Sequence, residues 1–112
     1  MKRTDQIQGE RLDDIAYRDQ YQARNDPPGA FRKVTGFPPS AVNYPSNLTG
    51  QLWIVMTPNG LHGVLGAHTV REEEDGSITV APGDGSSNSI LVSNGVESWH
   101  GYITRGLWWE LT

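Results

Sequence analysis

Cysteine is absent from this 112-residue chain, which removes disulfide cross-links and thiolate metal sites from consideration. Long apolar runs are absent too. No stretch approaches the roughly 20 residues that a membrane-spanning helix needs. The opening Met1-Lys2-Arg3-Thr4-Asp5-Gln6 also lacks the apolar run of a signal peptide. The expectation is therefore synthesis in the cytoplasm of a host cell, with no membrane partner. Positive charge is scarce: nine Lys and Arg stand against thirteen Asp and Glu, for a formal charge of −4. Sequence-independent binding to nucleic acid needs clustered cations that displace counterions, so nucleic acid is not an expected partner.

What is present suffices for one domain with an appendage, and hydrophobic residues make up 36% of it. The two parts differ in character. Seven of the nine basic residues (Lys2, Arg3, Arg11, Arg18, Arg24, Arg32 and Lys33) fall in residues 1–33, whereas all four tryptophans lie beyond residue 50. Aromatic side chains bring large blocks of burial, so the core is assigned to residues 51–112.

Residues 1–50 read as an N-terminal arm. Thr4 is a plausible N-cap and Leu12, Ile15 and Ala16 form a thin apolar stripe, which predicts a short helix within 4–24. Gly9 weakens that helix by roughly 1 kcal/mol relative to alanine. Asn25-Asp26-Pro27-Pro28-Gly29, Phe37-Pro38-Pro39-Ser40 and Tyr44-Pro45-Ser46-Asn47 are then strong breakers, so 25–50 is predicted to be extended. Phe31, Phe37, Val42 and Tyr44 are hydrophobes that would pin such a segment to a surface, on its own domain or on a neighbour.

From Gln51 onward the pattern is short β-branched and aromatic runs at 51–56, 61–65, 68–71, 77–81, 89–92, 99–103 and 107–111. Turn signals separate them, among them Pro58-Asn59-Gly60, Asp75-Gly76, Asn94-Gly95 and Arg105-Gly106. This rhythm predicts an all-β fold, a small antiparallel meander closing into a sandwich or partly open barrel.

Chemistry is thin. His62, His68 and His100 fall on predicted strands and could meet as a three-nitrogen metal site, but surface or hydrogen-bonded histidines explain them better, since no carboxylate stands at a revealing offset. Glu72-Glu73-Glu74-Asp75 places acids consecutively at a strand end, where neighbours face opposite ways, and so reads as a solvated hairpin tip rather than a calcium loop. Gly83-Asp84-Gly85-Ser86-Ser87 lacks the lysine and following helix of a phosphate-binding loop. No catalytic residue, metal or cofactor is assigned. Trp108 and Trp109 are adjacent on one strand and must point to opposite faces, one into the core and one toward solvent, the arm or a partner. With Trp99 and Tyr102 they make the last hairpin the expected contact surface.

Three segments resemble a small β-domain family of phages and bacteria, of unknown function and often mislabelled as ammonia monooxygenase. They are Trp53-Ile54-Val55-Met56-Thr57-Pro58-Asn59-Gly60 with His62, Asp75-Gly76-Ser77-Ile78-Thr79-Val80-Ala81-Pro82 leading to Ser89-Ile90-Leu91-Val92, and Trp99-His100-Gly101-Tyr102-Ile103-Thr104-Arg105-Gly106. The resemblance spans residues 51–109 and implies the β-fold and a phage-type origin. Many relatives carry cysteines at the first turn. Here Thr57 and Asn59 stand in that region, so a metal site there is not implied for this chain.

The expectation is a non-enzymatic phage accessory protein acting through protein–protein contacts, a minor virion component whose partners are neighbouring copies of itself or other virion proteins. Its contact residues would be Trp99, Tyr102, Trp108, Trp109, Phe31, Phe37 and Tyr44. Two alternatives are an inhibitor of a host defence system, binding an effector protein or a signalling nucleotide, and a histidine-ligated metal hydrolase.

Overall fold

The computed structural model describes residues 3–42, 49–80 and 89–111. Tyr44 and the loop Gly83-Asp84-Gly85-Ser86-Ser87 lie outside the described residues. Among the described residues the fold is all-β, as expected, and no sheet closes into a barrel.

Two four-stranded sheets face each other. The first contains β1 (Arg3–Gln8), β8 (Ile90–Ser93), β9 (Ser98–Thr104) and β10 (Leu107–Leu111), in the order β1-β10-β9-β8. The second contains β2 (Ile15–Ala16), β3 (Phe31–Thr35), β4 (Leu52–Met56) and β5 (His62–Val64), in chain order. A small hairpin, β6 (Arg71–Glu72) with β7 (Ile78–Thr79), joins the first sheet through a bridge between Val80 and Ile103.

The tight turns form as the sequence predicts. At Thr57-Pro58-Asn59-Gly60 the Gly60 amide donates to the Thr57 carbonyl at 2.9 Å and Gly60 takes φ of 86°. The buried Thr57 hydroxyl also accepts from the Leu61 amide at 2.8 Å, which locks the start of β5. Arg105 and Gly106 have φ of 48° and 82°, the paired positive values that a two-residue hairpin between β9 and β10 demands.

Residues 3–42 depart from the expected arm. Thr4 does not cap a helix: it lies in β1, paired with Glu110 across almost the whole length of the chain. The helix that does form is a 3₁₀ turn set at Tyr17–Asn25, whose one buried side chain is Ala23. A 3₁₀ segment does not carry the 3.6-residue stripe on which the sequence expectation rested. Residues 31–35, expected to be extended chain on a surface, form β3 between β4 and β2. The β2–β3 pair is parallel, so the second sheet is not a pure antiparallel meander.

Two apolar clusters explain the layering. Between the sheets pack Phe31, Trp53, Val55, Leu65, Ile78, Ile90, Trp99, Ile103 and Trp108, among others. On the outer face of the second sheet, Ile15, Ala23, Val34, Val42, Leu52 and Ile54 form another layer, with Tyr17 and Phe37 against it. β4 therefore has both faces covered, which is why its sequence Leu52-Trp53-Ile54-Val55-Met56 is apolar throughout instead of alternating.

Candidate functional site

The residues assigned to contact from sequence divide sharply by burial. Trp99 and Trp108 are core residues, set edge to face with ring centroids 5.1 Å apart. Trp108 is anchored further by its indole N–H, which donates to the Gly29 carbonyl at 2.8 Å. Tyr102 and Trp109 do point to the opposite face, as adjacent strand residues must, but they stack on each other at 4.5 Å and are themselves buried. Phe31 is buried in β3 and Phe37 packs against the outer cluster. The last hairpin is thus not an exposed aromatic surface. Trp108 enters the cluster between the sheets and Trp109 lies against Tyr102 on the other face, so both are absorbed within the domain.

The histidines do not converge as a trio. His68 and His100 both reach Ser89, His68 Nε2 to the Ser89 carbonyl at 2.9 Å and His100 Nε2 to the Ser89 hydroxyl at 2.9 Å. His68 sits in a bend rather than on a strand. His62 is on β5, away from that pair, and among the described residues no group of three His, Asp or Glu side chains is placed to hold a metal ion. The acidic run is committed internally. Glu72 accepts from Arg11 at 2.6 Å and Lys33 at 3.1 Å, Glu73 pairs with Arg71, and Asp75 caps the Ser77 amide.

No protein-family model, curated protein or solved structure matches the chain.

The feature that sequence reasoning missed is the seam where the two sheets end. β5 closes one sheet and β8 the other, and they meet at Gly63, where a Cβ would lie 2.8 Å from Val92 Cγ2. Beside this contact the strands part to leave a cleft of about 310 Å³, lined by Arg24, Leu61, His62, Val92, Ser93 and Asn94. His62 Nε2 is buried there and meets no hydrogen-bond partner. Burial, reinforced by the nearby Arg24 and opposed by Asp26, holds the His62 imidazole below its usual pKa, so it is neutral at pH 7. The signal available in sequence was the pairing of His62 with a turn glycine, which said nothing about the distant Arg24. A second cleft of about 210 Å³ lies beside Ile7, Pro58, Asn59 and Trp99, and the buried Trp99 Nε1 is likewise without a partner.

Several large apolar side chains are exposed, Tyr21 in the 3₁₀ segment among them. Leu91 on β8 is 66% exposed, Val64 on β5 is 46% exposed, and Val96, in the turn after β8, is 91% exposed. No helix among the described residues is long and apolar enough to cross a membrane.

Proposed function

We propose that this chain is a non-enzymatic accessory protein of phage type that works by protein–protein contact, as a minor component of a virion. The observation that carries the contact role is β8, which ends its sheet among the described residues. Ile90-Leu91-Val92-Ser93 holds no Lys, Glu or Pro, the residues that ordinarily keep sheet edges from pairing, and it presents Leu91 to solvent. Its occupant is an extended segment of a partner protein, added to the first sheet as a further strand. The N-terminal segment has no part in this reading, since β1 to β3 are already paired within the domain.

A photo-crosslinking residue placed at Leu91, with Tyr21 as an exposed control, tests the reading during particle assembly. A discrete adduct from Leu91 alone, joined to a structural protein of the purified particle, is the expected result. Equal labelling at both positions, or none at Leu91, overturns it. An adduct with a host protein that is missing from particles transfers the surface to the defence-inhibitor reading. An adduct with a second copy of the chain assigns the edge to self-association.

A further inference from the structure

We propose that the cleft between β5 and β8 binds a small phosphoryl-bearing molecule, held by Arg24 and His62 and bordered by Ser93 and Asn94. Its volume of about 310 Å³ lies at the lower end of the range for small-molecule sites. It is also about ten times the share of liquid volume, roughly 30 Å³, that one water molecule takes.

The donors point to an anion. Arg24, at the end of the 3₁₀ helix, is exposed and enters none of the ion pairs among the described residues. The nearest carboxylate, Asp26, is committed to Arg32 at 3.1 Å, with both side chains mostly buried. Arg24 therefore keeps a positive charge to offer. On the β8 side the lining residues Val92, Ser93 and Asn94 are uncharged, and the acid of the following turn, Glu97, does not line the cleft. The oxygens of Ser93 and Asn94 are already used as acceptors: Ser93 Oγ receives the Gly95 amide at 3.2 Å, and Asn94 Oδ1 receives the amides of Val96 and Glu97 at 2.9 and 2.7 Å. Asn94 keeps its amide NH₂ as a donor for a ligand, and Ser93 keeps its hydroxyl hydrogen together with one acceptor lone pair.

The fourth group is His62, whose buried Nε2 lacks a partner. A guanidinium fork, an imidazole, a hydroxyl and an amide all belong to residues that line this one cleft, and such a set outnumbers the two oxygens of a carboxylate and suits the three or more of a phosphoryl group. Free phosphate and a phosphate ester present the same recognising chemistry to these groups. Binding would bring an anion to His62 and raise the pKa that burial and Arg24 now hold down, adding to the opposing effect of Asp26.

The test is a titration of the full chain followed through the ring resonances of its three histidines, with inorganic phosphate, adenosine 5′-monophosphate and acetate as separate probes. The expected result is saturable movement of the His62 ring by the two phosphoryl probes, an upward shift of its pKa, and no movement of His68 or His100. Tighter binding of the monophosphate identifies an ester, and equal binding identifies the free anion. R24Q should weaken binding by about tenfold, the loss of one charge-assisted hydrogen bond, with R24K intermediate. Because Arg24 is exposed, these variants keep the fold even where a His62 variant does not. The proposal is overturned if no probe saturates, if acetate binds as tightly as phosphate, or if R24Q binds like the parent. It is independent of the edge-pairing reading: Leu91 crosslinks can fail while phosphate binds, and the reverse.

Discussion

Gly101 and Gly9 show what single atoms decide in this fold. A Cβ at Gly101, in the middle of β9, would crowd the Trp109 carbonyl and lie 2.6 Å from the Trp99 ring. One at Gly9 would press on the Gly29 carbonyl and the Trp108 indole nitrogen, the two ends of a buried hydrogen bond. Both glycines mark close approach of backbone to backbone, the usual meaning of glycine in or beside a strand. We expect Gly101→Ala and Gly9→Ala each to cost about 1–3 kcal/mol, the ordinary penalty of overpacking, measured by urea unfolding. Gly60→Ala meets no neighbouring atom but must hold φ of 86°, so its smaller loss would come from backbone strain alone. Trp108→Phe tests the anchor itself. It leaves the Gly29 carbonyl unpaired in the core and should destabilise by a further 1–3 kcal/mol or so beyond the lost ring area.

At the scale of elements, the sequence was legible where local pattern and tertiary role agree. The apolar run at β4, the Pro58-Asn59-Gly60 turn and the hairpin around Arg105-Gly106 each carry their structure in consecutive residues. β1 did not. Arg3-Thr4-Asp5-Gln6-Ile7-Gln8 has one hydrophobe in six residues, and its pairing partner lies about a hundred residues away in β10. Nothing local could reveal that pairing. β3 was hidden differently, by the proline-rich segments on both sides of Phe31–Thr35, which suggested a continuous extended stretch. The candidate cleft was illegible for a related reason, since it draws on the 3₁₀ helix, the start of β5 and the end of β8. The pairings of β1 and β3 make a direct prediction. Amide protons of Phe31, Val34 and Trp108 should exchange slowly in the isolated protein, and trypsin should leave Arg32 and Lys33 uncut under native conditions. Rapid cleavage at those sites, with β4 to β10 remaining folded, would show an arm that peels away.

For the whole molecule, the radius of gyration of 13.0 Å is that of a closely packed domain of this length, and acid is its natural point of failure. The β6–β7 hairpin is fastened through its carboxylates. Glu72 is held below the usual value of about 4.5 by its hydrogen bonds from Arg11 and then Lys33, and those two cations also lie over the Trp53 ring. Glu73 is lowered by the Thr79 hydroxyl and Arg71, and Asp75 by the Ser77 hydroxyl and amide. A carboxylate whose folded pKa is depressed stabilises above its unfolded pKa, and that contribution disappears as the pH falls through the folded value. His62 acts in the same direction from a higher starting point. Its folded pKa lies below about 6.5, so the unfolded chain takes up a proton first and stability is lost as the pH falls from that value. Unfolding free energy should therefore be flat above neutrality, begin to decline near pH 6.5, and decline more steeply below about pH 4.5. H62Q should remove the first decline and E72Q should flatten the second, each followed by denaturant unfolding across the pH range. A parent and an H62Q profile that coincide between pH 7 and 5.5 would mean that His62 is not held neutral by its cleft, since a histidine free to protonate in the folded state contributes no slope there.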